Sequence, residues 1–210
     1  EQINNDNDEA ASEVSNTTIS TITVTDTPNT AHMAANIYRS ILSLTSENIL
    51  DDPSTPQGLA YQWLIENDQT LLNDSNRLQQ RYVLVAMDFA LHENNGNTDE
   101  NIQSLLAFAQ PNLDECLWTG ITCDNNDIVT GINWSNSKLV GTILPEIQFL
   151  SSSLTLLDLA DNNISGDLVD NVWLLNNLQY LYLHNNQISG SIPSNQLDQF
   201  TNLESLYLNH

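Results

Sequence analysis

Leu178 to Pro193 reads LQYLYLHNNQISGSIP. Its apolar positions, Leu178, Leu181, Leu183, Ile188 and Ile192, follow neither the helical period of about 3.6 residues nor the sustained alternation of a long strand. The same spacing recurs along the chain. Leu154, Leu157, Leu159, Asn162, Ile164, Gly166 and Leu168 form one unit. Leu178, Leu181, Leu183, Asn186, Ile188, Gly190 and Ile192 form the next, 24 residues later. Leu203, Leu206 and Leu208 begin another, 25 residues further on, and Val129, Ile132, Trp134, Leu139, Gly141 and Ile143 make an earlier one.

A period of about 20–29 residues with this signature predicts an α/β leucine-rich repeat solenoid. In each unit L-x-x-L-x-L is a short strand and its approach, with the leucines pointing inward. Asn162 and Asn186 are expected to stack as a ladder, each side-chain amide satisfying backbone groups that the tight turn leaves unpaired. Ser137 stands at that position in the first unit. A unit buries its leucines only against its neighbours, so stability is roughly a nearest-neighbour sum and terminal leucines need a cover. The last unit stops at His210, one residue short of its ladder Asn, and the chain starts at Glu1 without a signal-peptide pattern. The expectation is a processed or partial chain with further repeats beyond.

The charge balance narrows the function. There are 27 acidic residues against four basic ones, Arg39, Arg77, Arg81 and Lys138, for a net charge of -23. Nucleic acid as a partner is excluded, because phosphates need Lys and Arg. Electrostatic docking on anionic membranes is disfavoured for the same reason. No run of about 18 apolar residues is present, so any membrane association would come through a span outside this chain.

Residues 1–30 are acidic and Thr/Ser-rich with few large apolar side chains, which predicts a disordered tail. Residues 31–110 read as helical. Ile37, Tyr38, Ile41, Leu42 and Leu44 fit one face. Thr55 offers an N-cap with Pro56 at the first helical position, followed by Leu59, Ala60, Trp63 and Leu64. Asp74 or Ser75 caps a third helix bearing Leu78, Tyr82, Val85, Ala86, Phe89 and Ala90. NIQSLLAFA predicts a short fourth helix ending at Pro111. Such short helices must pack on something, and the open edge of the first repeat is the expected surface.

The repeats read LxxLxLxxNxISGxIP, with GTILP at 141–145, GDLV at 166–169 and GSIP at 190–193. This resembles the plant-type leucine-rich repeat of receptor-like kinases and polygalacturonase inhibitors. DECLWTGITC, with Cys116, Trp118, Gly120 and Cys123, resembles the amino-terminal cap of that class. The block DPSTPQGLAYQWL with NRLQQRYVLVAMDFA is similar to the helical segment preceding the repeats in the leucine-rich-repeat family of diatoms and related algae. The cap therefore spans 111–128 and the repeats 129–210, three complete and a fourth truncated. Departures are Ser137 for the ladder Asn, an extra residue in ILP, and LVDN where IPxx is usual.

The resemblance implies an extracellular, non-catalytic recognition region of a membrane-tethered or secreted receptor-like protein acting in signal transduction. It also implies a Cys116–Cys123 disulfide, worth about 2–3 kcal/mol at most for so small a loop, and an oxidising compartment. Read from the residues alone, two cysteines also allow a metal site or a reactive pair, but no paired His lies nearby and no basic residue flanks them. Sequons at Asn16, Asn73, Asn133 and Asn163 are candidate glycan sites in such a protein.

Catalytic motifs are absent: no G-x-S-x-G, Gly-rich phosphate loop or HExxH occurs, and His32, His92, His184 and His210 are scattered. No cofactor is expected. Asp124 and Asp127, with Asn125 and Asn126, allow either a weak calcium site or a plain turn. The strand face is more informative, because residues between the leucines line the concave surface. Stacking the units gives the columns Gly131, Leu156, Tyr180, Ser205, then Asn133, Asp158, Tyr182, Tyr207, then Ser135, Ala160, His184, Asn209, and last Asn136, Asp161, Asn185, His210. Tyr180, Tyr182, His184 and Tyr207 are thus expected to form an exposed aromatic patch beside Asp158 and Asp161, suited to a protein, peptide or glycan ligand. Two other roles fit the same scaffold, a cell-wall or matrix glycoprotein and an enzyme inhibitor similar to those acting on polygalacturonase.

Overall fold

Short strands that recur at a fixed period pair in register, and this sets the architecture. In the computed structural model, which describes residues 28–68, 74–92, 106–168, 170–190 and 200–208, five strands make the concave sheet. They are β1 (Ile121–Cys123), β2 (Val129–Asn133), β4 (Leu156–Asp158), β6 (Tyr180–Tyr182) and β8 (Ser205–Tyr207), adjacent in that order. β1 runs antiparallel to β2 and the others are parallel. Ile132, Leu157, Leu181 and Leu206 occupy one register row, so every coil adds a leucine-type side chain to the same inward ridge. Leu154, Leu157, Leu159, Leu178, Leu181 and Leu183 are buried as the spacing requires.

A second sheet, unread in the sequence, lies past the ladder. It comprises β3 (Val140–Gly141), β5 (Asn163–Asp167) and β7 (Gln187–Ser189), all parallel. The segments that follow the ladder position in each coil, V-G, N-I-S-G-D and Q-I-S, build it, because their backbone leaves the ladder turn extended.

Asn162 connects the two sheets. Its Oδ1 accepts from the N–H groups of Ser137 (2.9 Å) and Leu139 (3.0 Å), and its Nδ2 donates to the carbonyls of Trp134, Leu159 and Ala160. Asn186 repeats the device one coil on, accepting from Ile164 N–H at 2.9 Å and donating to Leu159 and Leu183. Ser137 is too short to bridge coils, and its hydroxyl donates to Ser135 O within its own coil.

The amino-terminal cover is helical: α1 (Pro28–Ile41), α2 (Glu47–Leu50), α3 (Pro56–Glu66) and α4 (Ser75–Ala90). Thr55 caps α3 by accepting from Gly58 N–H, with Pro56 following at the first position, and Asp74 caps α4 by accepting from Asn76 and Arg77. The sequence gives α4 one apolar face, but Gln80 to Phe89 are buried all round. The helix is enclosed between α1 and α3 on one side and the first coil on the other. Its C-terminal end docks on that coil: Val140 N–H donates to Leu91 O at 2.9 Å. Gln57 donates to the buried Glu146 carboxylate at 3.2 Å, a further tie to the first coil.

Two expectations need correction. Leu106 to Ala109 are not helical; the remainder of the proposed fourth helix lies outside the described residues. Instead the N–H groups of Ala107, Phe108 and Ala109 donate to the fully buried Asp88 carboxylate at 3.2, 2.9 and 2.8 Å. That buried acceptor draws the segment into an irregular path and stacks the Phe108 ring on Trp134 at 4.4 Å. Leu42, expected on the buried face of α1, is exposed, because the helix ends at Ile41 and the chain turns away. The acidic tail, apart from its last residues Pro28–Thr30 in α1, lies outside the described residues, as do Asn16 and Asn73.

Candidate functional site

Residues between the inward leucines of β4, β6 and β8 form the concave face. Asp158, Tyr182 and Tyr207 share one row, and Leu156, Tyr180 and Ser205 share the next. Tyr182 is the hub. Its ring centroid lies 5.4 Å from Tyr207, 6.3 Å from Tyr180 and 6.4 Å from His184, and His184 and Tyr207 are 5.9 Å apart. The spacing follows from the sheet, since neighbours across and along strands lie within reach of large side chains. The rings are tilted or edge-on, arrangements aromatic pairs favour.

The expected exposed patch is in part buried against itself. Tyr207 is 53% exposed, whereas Tyr180, Tyr182 and His184 are half-buried because each covers its neighbours. His184 Nδ1 is shielded and has no hydrogen-bond partner among the described residues. Asp158 is half-buried, and its Oδ1 accepts from Ala160 N–H at 3.1 Å, so it shapes the strand exit while lying beside Tyr182.

Glu204 is the residue the column alignment missed. It precedes β8 and accepts the Tyr180 hydroxyl at 2.6 Å. That hydrogen bond, with the carboxylate charge behind it, raises the Tyr180 pKa. The signal was present in the sequence: Glu204 sits one place before the Ser205 column, where a long side chain reaches diagonally to Tyr180.

The fourth column belongs to the turn. Asn136, Asp161 and Asn185 have φ of +49°, +56° and +55°, the left-handed region that Asn and Asp tolerate best among side-chain-bearing residues. Asn185 donates to Asp161 at 2.6 Å across coils.

Asn133 and Asn163 are both exposed. Asn133 Oδ1 accepts from the Ser135 N–H and hydroxyl. Cys116 and Cys123 are disulfide-bonded, with Cα atoms 5.5 Å apart. Asp124 makes the turn between β1 and β2, its carboxylate accepting from Asn126 and Ile128 N–H, which lowers its pKa. Asp127 sits at φ +59° and faces Arg77 at 3.6 Å, so the acidic turn is occupied by its own backbone and an arginine.

Coils, Asn ladder and disulfide cap together define a leucine-rich repeat protein. Residues 153–175 match the Leucine Rich Repeat family model and residues 176–210 match Leucine Rich repeats (2 copies). The LRR receptor-like serine/threonine-protein kinase GSO2 of Arabidopsis thaliana is 39% identical over 90 residues, covering 42% of this chain and 7% of that protein. Among solved structures, the LRR ectodomain of the plant membrane receptor kinase GASSHO1/SCHENGEN3 from Arabidopsis thaliana, in complex with CASPARIAN STRIP INTEGRITY FACTOR 2, gives a TM-score of 0.51 at 29% identity, over 62% of this chain and 15% of that one. The Arabidopsis receptor kinase HAESA, in complex with the peptide hormone IDA and the co-receptor SERK1, also gives 0.51, at 26% identity over 66% of this chain and 22% of that one. The chain carries leucine-rich repeats of the plant type, and the match spans less than a quarter of the length of each of these relatives.

Proposed function

We propose that this chain is a non-catalytic extracellular recognition module of a receptor-like protein, and that it takes a peptide segment on its concave face through Asp158, Tyr180, Tyr182, His184 and Tyr207. One observation carries the reading: four polar-tipped rings from two neighbouring coils form one continuous surface on the face that the inward leucines leave free. Tyr is well suited to such a surface, giving large contact area with two χ angles to restrain and a hydroxyl for hydrogen bonding. Support comes from similar proteins that are receptor kinases, one of them solved with CASPARIAN STRIP INTEGRITY FACTOR 2 and another with the peptide hormone IDA. The disulfide supports an oxidising compartment, hence the cell surface or exterior.

The helical block before the cap carries the finer proposal that the chain groups with the receptor-like leucine-rich-repeat proteins of diatoms and related algae. It supplies a cover built from helices that donate hydrogen bonds into the cap and first coil.

The test is a selection of randomised displayed peptides on the immobilised chain. Peptides that bind the native chain and fail to bind the Tyr182→Ala, Tyr207→Ala double variant are expected. Recovery of peptides that bind both equally would overturn the assignment of the site.

A further inference from the structure

The inference rests on the recognition reading above and names the chemistry of its ligand. Lys138 is the single Lys or Arg between Val129 and Leu208, and it lies in the turn after β2 at φ +59°, off the strand face. The concave strands therefore present no cation. They do present anions beside the rings: Asp158 pairs in register with Tyr182, and Glu204 is held by the Tyr180 hydroxyl at 2.6 Å. Only one Glu204 oxygen is engaged; the other has no partner among the described residues.

We propose that the concave face binds an extended peptide through a basic side chain, Arg or Lys, whose cation lies against the Tyr182 and Tyr207 rings and pairs with the free oxygen of Glu204. The Tyr182 and Tyr207 planes are inclined at 47° with centroids 5.4 Å apart, so they offer ring faces in place of a closed stack. A cation over such a face is attracted by the ring quadrupole, and more strongly once water is displaced. The alkyl stem of Lys or Arg covers the aromatic surface while the charged end stays near the carboxylate. Tyr180 fixes Glu204 beforehand, which lowers the ordering cost of the ion pair. An acidic segment would bring its carboxylates against Asp158 and Glu204 with nothing to compensate them, a repulsion that discriminates between partners.

The net charge of -23 would attract any polycation weakly, so the test must separate the site from the field. At about 0.15 M salt, charges beyond roughly 8 Å are largely screened while a direct pair is not. The displayed-peptide selection is run at that salt, and recovered peptides are titrated into native chain, Glu204→Gln, Tyr207→Phe and Glu66→Gln. Glu66 is an exposed carboxylate on α3, away from the sheet, and controls for net charge.

Peptides that need Tyr182 and Tyr207 are expected to share an Arg or Lys. Glu204→Gln should weaken them about fivefold or more, Tyr207→Phe should retain most of the binding because the ring is kept, and Glu66→Gln should stay within about twofold. Tyrosine-dependent peptides without a shared basic residue would overturn the inference and leave the recognition reading standing. Equal weakening by Glu204→Gln and Glu66→Gln would also overturn it, reducing the effect to net charge. Absence of any tyrosine-dependent peptide would overturn both.

Discussion

Arg81 on α4 and Glu115 in the disulfide cap pair at 2.9 Å with both side chains fully buried. The guanidinium also bonds Asp68 and donates to Leu113 O at 2.9 Å, and it lies 4.5 Å from the Trp118 ring centroid. Glu115 is gripped from three sides, by Arg81, by Arg77 at 3.0 Å and by Gln80 at 2.9 Å. Two of the four basic residues of this acidic chain are thus spent inside the junction between helices and cap. Gln80 extends the junction to β2, its Oε1 accepting from Val129 N–H at 2.8 Å.

Removing Arg81 should be far more damaging than removing an exposed arginine. Arg81→Ala removes the buried cation that the Asp68 and Glu115 carboxylates share and leaves Glu115 to Arg77 and Gln80, at a cost of about 3–5 kcal/mol. Arg39→Ala, at an exposed position, should stay within about 0.5 kcal/mol. Urea denaturation of the two variants checks the contrast; equal midpoints would rule out the buried pair as the junction.

Asn162→Ala should loosen the solenoid locally. Two backbone donors and the carbonyls it serves lose their partner in a buried setting, at about 1–3 kcal/mol for each group left unsatisfied. Amide exchange at Ser137 and Leu139 should accelerate before global stability is lost, since those N–H groups point at the missing oxygen.

Gly141→Ala and Gly190→Ala separate backbone strain from docking. Both glycines have positive φ, +89° and +106°, so either alanine carries strain of about 1–3 kcal/mol. At Gly141 an added Cβ would also meet Ala90 O at 2.1 Å, whereas at Gly190 the nearest atom among the described residues, Leu168 N, is 3.5 Å away. Gly141→Ala should therefore lower the thermal midpoint more, and it should do so by pushing α4 off the first coil.

Stability should depend on His92. Its Nδ1 donates to Asp88 O at 2.8 Å and lies 3.0 Å from the Asp88 carboxylate. Burial depresses the imidazole pKa, but the Asp88 side chain, carbonyl and charge outweigh it and the net shift is upward from 6.5. A folded pKa above the unfolded one gives stability that is complete below pH 6.5 and lost as pH rises through the folded value. The thermal midpoint of the native chain should exceed that of His92→Gln most at mildly acidic pH, and the gap should close at alkaline pH.

The cap disulfide closes a short loop. Replacing Cys116 and Cys123 together by Ala should cost about 2–3 kcal/mol in denaturant unfolding, with the ion-pair junction still holding the cap to α4.

The leucine spacing, the two ladder asparagines and the disulfide cap were legible in the sequence, because each is a local pattern repeated at a fixed offset or a motif of adjacent residues. The strand register then followed, and it brought Tyr182 and Tyr207 side by side as the columns required. What the spacing could not convey depends on contacts between distant segments. Arg81 and Asp88 look like surface residues of an amphipathic helix, yet α4 is enclosed on every side and their charges are met by Asp68, Glu115 and the 107–109 backbone. The ISG segments carry no strand alternation, and become a second sheet only because each coil hydrogen-bonds the next. Glu204 gains its meaning from a hydroxyl 24 residues away. The sequence by itself determined the solenoid and its inward face, since a repeat needs only itself as template. The tertiary structure decided which charges are buried, which ring faces remain open and where an anion stands beside them, because burial and pairing are properties of neighbours in space.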